Sequence, residues 1–282
     1  MLDFSSIDIK TILPDGNQIE ELAEKIMLGS CLFGTLLTDS YSEKETKEIH
    51  QALKILCGKY DTHPFDTYGI YCYWDLKTKE ILYIGLTNNL ITRFSQHNNL
   101  GSKSSKGNKS FKIKEYLKLN EKIGFSLLLQ PPLIHQEPNL FDKDNEVKVI
   151  ESSLFQSFKN IHGKLPKWNE AEGTRIGRTD KLVTRYGDIL DMINLEKSGY
   201  LNANSTIREL ANNTEYQMFE CDLNLVRAFM YQWKESFEKV VAKIIRWNEF
   251  MVSQGNFVAA ESNIRLLNLI KSSYLTKKIK AL

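Results

Sequence analysis

Apolar residues recur three and four apart among charged ones over 18–27 and again over 42–56, the period of amphipathic helices. Residues 1–65 therefore read as mostly helical. The segment THPFD, 62–66, interrupts that period, because proline disfavours the helical conformation of the residue before it, and a boundary is placed there. TYGIYCYW and EILYIGL are rich in β-branched and aromatic residues and flank DLKTK, so they predict a hairpin with a longer loop. TNNLITRFSQH then predicts a helix, and GSKSSKGNKS, 101–110, an exposed loop with three lysines and no apolar residue. SFKIKEYLKLN follows as a short basic helix, GFSLLLQP as a third strand, and DNEVKVIESSLFQSFKNI as a helix of clear 3.6-residue period. The order over 66–172 is ββααβα. From Gly173 onward the period is helical almost throughout, with helices expected over 180–196, 205–212, 223–252 and 256–278. The chain is thus expected to be α+β: a small core with a three-stranded antiparallel sheet at 66–172, between mostly helical regions at 1–65 and 173–282.

Composition adds limits. A chain of 282 residues is long enough for two or three folded units. Its 42% hydrophobic and 26% charged residues are ordinary for a globular protein, and no apolar run nears the ~20 residues that span a bilayer. No membrane association is expected. MLDFSSIDIK lacks the basic and apolar stretches of a secretory signal, so a cytoplasmic location is expected. Cys31, Cys57, Cys72 and Cys221 form no CxxC pair, which speaks against a zinc finger or a disulfide framework. The net charge of +2 is small, but residues 1–65 carry eleven acids against six basic residues, leaving the excess of positive charge to the rest of the chain.

Strand alternation places Tyr71 and Tyr73 on one face of the first hairpin strand, and puts Tyr83 beside Gly85 on the second. Gly85 marks a place where a ligand or another chain segment approaches closely. Two phenols on one sheet surface fit either cross-strand aromatic packing or a reactive site. In the next helix Leu90 and Phe94 form the core stripe, with Arg93 and His97 on a neighbouring stripe. Arg93 fits a surface ion pair or a phosphate clamp, since its fork of donors matches phosphate oxygens. His97 fits a C-terminal helix cation or a helper to that clamp. Glu151 lies within the apolar stripe of Val147, Ile150, Leu154, Phe158 and Ile161. An ionised carboxylate there needs a salt-bridge partner or a metal ion.

Gly69-Ile70-Tyr71 and Tyr83-Ile84-Gly85, separated by eleven residues, followed in order by Arg93, Glu151 and Asn169, resemble the signature of the GIY-YIG nuclease superfamily. The resemblance covers the middle third of the chain. It implies hydrolysis of phosphodiester bonds with one divalent ion, Mg²⁺ with Mn²⁺ as a substitute, leaving a 5′-phosphate. In that scheme Glu151 is the metal ligand, Tyr71 the general base and Arg93 the group that neutralises developing charge. Tyr83 orients water or phosphate, His97 assists, Gly69 and Gly85 belong to the structural motif, and Asn169 is structural or touches phosphate. A phenol of ordinary pKa near 10 is a poor base, so a nearby cation is required, with Lys77 and Lys79 as candidates.

The implied partner is double-stranded DNA. Lys103, Lys106, Lys109, Lys112 and Lys114 suit a phosphate backbone, contacts that raise affinity without reading sequence, although such a run also suits a solvated loop. STIRELANNT and DLNLVRAFMYQWKESF resemble the two helices of a helix-turn-helix with too long a gap, and make Arg227 a candidate DNA contact. A helical bundle that packs or pairs subunits is the alternative for 173–282. No cysteine pairs, glycine-rich hairpin-helix pair or small repeated DNA-binding modules mark the repair and homing branches. By elimination the chain looks most like a type II restriction endonuclease, which for a palindromic target implies a homodimer or tetramer. A loosely specific phage or mobile-element nuclease and a catalytically silent DNA-binding scaffold are the other readings.

Overall fold

The computed structural model describes residues 34–58, 63–100, 108–130, 143–171, 189–197, 201–233 and 235–276. The amphipathic run at 18–27, Lys103, Lys106 and the lysines after 276 lie outside them. The chain divides into two compact units, whose described parts fall within 34–217 and 218–276.

The first unit is built on five strands: β1 (Thr35–Tyr41), β2 (Gly69–Trp74), β3 (Ile81–Thr87), β4 (Ile123–Leu129) and β5 (Asn202–Thr206). Their order across the sheet is β3-β2-β4-β1-β5. The ββααβα order holds within 66–172, but the three-stranded sheet expected there is corrected to five strands, because β1 and β5 come from regions that read as helical. β1 pairs antiparallel with β4 from Thr35 opposite Leu129 to Tyr41 opposite Ile123, and parallel with β5. The reason these strands escape a periodicity reading is physical. Every residue of β1 is buried, so TLLTDSY has no solvent face to show as alternation. β5, NANST, is five residues long and polar.

Helices α1 (Thr46–Leu56), α2 (Leu90–His97), α3 (Asn108–Leu119), α4 (Lys143–His162) and the short α5 (Ile207–Ala211) complete the unit. One core joins Leu37, Tyr41, Phe125, Leu127, Tyr71 and Tyr73 of the sheet to Ile49 and Leu53 of α1, Leu90 and Phe94 of α2, and Ile113 of α3. Those strand positions alternate with Ile70, Cys72, Trp74 and Leu128, which therefore face the other way. On that second face Ile150 of α4 lines a small cavity together with Ile70 and Leu128. Two local devices set α2 and the hairpin. Asn89 caps α2 by accepting the Thr92 N–H at 2.9 Å. Asp75 closes the β2–β3 turn by accepting the N–H groups of Lys77 and Thr78, each at 2.8 Å, with Lys79 at φ 60°.

In the second unit, α6 (Thr214–Trp233, whose first turn belongs to the other unit), α7 (Phe237–Ser253) and α8 (Phe257–Lys271) are followed by a 3-10 turn at Tyr274–Thr276. The helix expected over 223–252 is two, broken before Phe237 and begun nine residues early at Thr214. Inside this unit Glu220 is fully buried and accepts from Arg227 at 2.7 Å and from Tyr274. No described helix is long and apolar enough to cross a membrane.

Candidate active site

The β2–β3 register places Tyr71 opposite Gly85 and Tyr73 opposite Tyr83. Residue 85 has no room for a side chain. A Cβ there would lie 2.6 Å from Cζ of Tyr71, 2.6 Å from Cε1 of Tyr83 and 2.7 Å from the Tyr71 hydroxyl. Glycine is what lets the two phenols converge over the strand, their ring centres 5.7 Å apart. His97, at the end of α2, adds its ring 5.5 Å from Tyr71, 6.0 Å from Tyr83 and 6.0 Å from Tyr73. Four polar rings thus pack into one cluster.

Burial controls their protonation. It pushes the Tyr71 hydroxyl well above the ordinary phenol range, with Tyr83 adding to the rise and Arg93 opposing it. Tyr83 is also raised by burial, against the pull of Tyr71 and Arg93. Burial, then Arg93 and Lys109, drive His97 down to about 4, so the imidazole is neutral at physiological pH. Among the described residues nothing hydrogen-bonds its Nδ1.

β3 is the edge of the sheet, and its outward backbone groups organise the rest of the site. The Trp168 N–H donates to the Leu82 carbonyl at 2.8 Å. Two residues on, the Asn169 side chain accepts the Ile84 N–H at 3.0 Å and donates to the Ile84 carbonyl at 2.8 Å, imitating a neighbouring strand. Two residues further, the Leu86 N–H serves the Glu151 carboxylate. Positions 82, 84 and 86 present their backbone to the same edge, so Asn169 and Glu151 are neighbours along it. Asn169 is in this arrangement a brace of the strand that carries Tyr83.

Glu151 is half-buried, and burial pushes its pKa up to about 7 while the Leu86 N–H opposes the rise. It forms no ion pair with a described residue. Its helix stripe is confirmed at Ile150, Leu154 and Phe158, whereas Ile161 is 57% exposed. A desolvated carboxylate without a cation beside it, with only hard oxygen to offer, fits a divalent ion such as Mg²⁺, which keeps several waters and needs few protein ligands. A cage of three or more His, Cys, Asp or Glu side chains is absent among the described residues.

The cations are distributed unequally. Arg93 is exposed on α2, one turn before His97, and acts electrostatically on Tyr71, Tyr83 and His97. Lys79 is not with the phenols: its ammonium lies 4.8 Å over the Trp74 ring, whose alternation places it on the opposite sheet face. The lysine beside the phenols is Lys109, 5.0 Å from the centre of the Tyr83 ring. Lys112 pairs with Glu170 at 3.2 Å, and Lys114 is exposed. Arg227 is 3% exposed and engaged with Glu220, so it offers no guanidinium to solvent. Sequence periodicity had no means of finding Glu170 or the Lys109 placement, because both depend on the 168–170 segment folding back along β3.

Residues 67–125 match the family model described as GIY-YIG catalytic domain, a nuclease and hence hydrolase domain. The match spans β2, β3, α2, α3 and the start of β4. No curated protein and no solved structure gives a significant match to the chain.

Proposed function

We propose that the chain is a Mg²⁺-dependent endonuclease that hydrolyses phosphodiester bonds of double-stranded DNA at a specific sequence, as restriction enzymes do. The observation that carries this reading is the meeting of Tyr71, Tyr83 and the desolvated Glu151, without an ion pair among the described residues, beside the β2–β3 hairpin and within reach of the Arg93 charge. Glu151 is the side chain that would hold the ion, and the bound ion supplies positive charge to the scissile phosphate. Tyr71, once its phenolic proton has passed to solvent under the Arg93 charge, accepts a proton from the attacking water as the water oxygen bonds to phosphorus. The bond from phosphorus to the 3′ oxygen breaks, leaving a 5′-phosphate, and the departing oxygen takes its proton from solvent. Arg93 neutralises the charge that gathers on the phosphate oxygens. Because burial raises the Tyr71 hydroxyl, its role as base requires that charge, and Arg93 opposes the rise. Tyr83, neutral His97 and the brace from Asn169 hold water and phosphate in register.

The C-terminal helices serve subunit pairing in this reading rather than base recognition. Arg227 is spent inside its bundle, whereas Phe257 and Val258 of α8 stand 83% and 71% exposed. A homodimer or tetramer would present two nuclease sites to a two-fold target.

The test is incubation of the purified chain with several unmethylated phage DNAs, with Mg²⁺ or with EDTA, read by gel and end sequencing. Discrete Mg²⁺-dependent fragments sharing one terminal motif are expected, and a loss of at least a thousandfold in Glu151→Ala with its circular dichroism unchanged. Smears would favour a loosely specific nuclease. No cleavage of any substrate would overturn the enzyme reading in favour of a scaffold.

A further inference from the structure

Glu170 is held by two lysines of α3, and the three groups are fixed to different degrees. Lys109 donates to the Trp168 carbonyl, its side chain 20% exposed, and lies 3.8 Å from a Glu170 oxygen. Lys112 reaches the same oxygen at 3.2 Å with a side chain 25% exposed. The Glu170 side chain is 64% exposed. α3 is further seated on this segment by Tyr116, whose ring stands edge-on to Trp168 at 5.9 Å. The cations are therefore the more buried members of the trio, Lys109 being also tied to the Trp168 carbonyl, and the anion between them is the more exposed one. An ion pair so exposed contributes little to folding, so stability gives it no strong reason to exist. Its location does. The Lys109 ammonium is also the cation beside Tyr83, so an anion bridging Lys109 and Lys112 lies at the border of the phenol pocket. Burial and the neighbouring Lys112 lower Lys109, with Glu170 opposing, as expected of two ammoniums brought together to share one anion.

We infer that Lys109 and Lys112 form a subsite for a DNA phosphate next to the scissile one, and that Glu170 fills it in the free protein as an internal anion which the DNA backbone displaces. The inference rests on the nuclease reading above. It gives the site a threshold: an isolated anion must compete with a tethered carboxylate, whereas a duplex that also engages Arg93 and Glu151-bound metal replaces Glu170 with a chain of linked phosphates.

The experiment measures binding of a labelled duplex to the full chain in EDTA by fluorescence anisotropy across a salt series. Four proteins are compared: the unaltered chain, Glu170→Gln, Lys112→Met and the double variant. Glu170→Gln is expected to tighten binding about threefold, the effect of removing exposed ion pairs of this kind. Lys112→Met is expected to weaken binding and to lower the salt slope by about one. In the double variant the gain from Glu170→Gln should shrink, because both substitutions act on one subsite. Unchanged or weaker binding by Glu170→Gln, in a protein whose melting temperature is preserved, overturns the inference. If the unaltered chain cleaves or binds DNA while the variants match it, this inference alone fails. If the unaltered chain neither binds nor cleaves any duplex, both it and the nuclease reading fall.

Discussion

Asp39 and Glu151 are both acids drawn out of water beside the same sheet, and the chain treats them differently. Asp39, on β1 and 1% exposed, receives Arg208 through NH2 at 2.9 Å, Nε at 3.2 Å and the Arg208 backbone N–H at 3.0 Å. The same guanidinium also reaches the Ser40 carbonyl, Glu45 and Glu48. Burial works against the Glu45 charge, but Arg208, Ser42 and Lys122 hold it down to about 2. Glu151 has the Leu86 N–H beside it and a pKa pushed up to about 7. One acid is satisfied by the fold, and the other is left requiring a cation that the described residues do not provide. A satisfied network ties elements together, here β1, α1 and α5. An unsatisfied carboxylate costs folding energy and is retained where something else binds it.

The comparison breaks most severely at Arg208. Arg208→Ala leaves Asp39 buried with only backbone donors, and about 3 kcal/mol of stability should be lost, read as a lower urea midpoint. DNA cleavage below the melting temperature should survive, since no group of the phenol pocket is touched. A fall in cleavage without a fall in stability would mean that the two acids are not separate systems.

Glu151→Gln sharpens the contrast from the other side. A carboxyl raised in the folded state binds protons more tightly there than in the unfolded chain, so its ionisation lowers stability as pH rises from about 4.5 to about 7. Removing the charge should therefore stabilise the metal-free protein at pH 8, by about 2 kcal/mol, with no gain at pH 4. Thermal melts in EDTA at the two pH values measure this. Adding Mg²⁺ should raise the melting temperature of the unaltered chain and not that of the variant. Equal melts at pH 8 would show that Glu151 is already paired.

The smallest effect is expected at Asn169. Asn169→Ala removes two part-buried hydrogen bonds from the Ile84 backbone, about 1 kcal/mol of stability. If Asn169 only braces β3, kcat should fall modestly with Kd for DNA unchanged; a loss confined to Kd would make it a phosphate contact instead.

Much of this was legible from local pattern. α2, α3 and α4 announce themselves because each has one buried and one wetter side, and β2, β3 and β4 because each is a short run of β-branched, aromatic or leucine residues bounded by turn chemistry such as Asp75 supplies, although β2 and β4 are buried throughout. Tyr71, Tyr83 and Gly85 share a surface by simple alternation, and Glu151 stands out as an acid in an apolar stripe. Strand β1 is buried on both faces like β4 but carries Thr, Asp and Ser beside its leucines, so it shows neither alternation nor an apolar run, and its neighbours β4 and β5 are more than 80 and 160 residues away. Arg227, an exposed DNA contact by helical spacing, is instead a buried partner of Glu220, because the partner seven residues earlier takes the charge inward.

By itself the sequence determined which side chains could do chemistry and which face of its own strand or helix each occupies, since those follow from periods of 2 and 3.6 residues. Tertiary structure alone decided which cation stands by which acid. Lys109 rather than Lys79 comes to Tyr83, Arg208 comes to Asp39, and among the described residues Glu151 is left with the Leu86 N–H. Such pairings depend on where distant segments cross, and charge attraction across a sheet edge leaves no mark in local spacing.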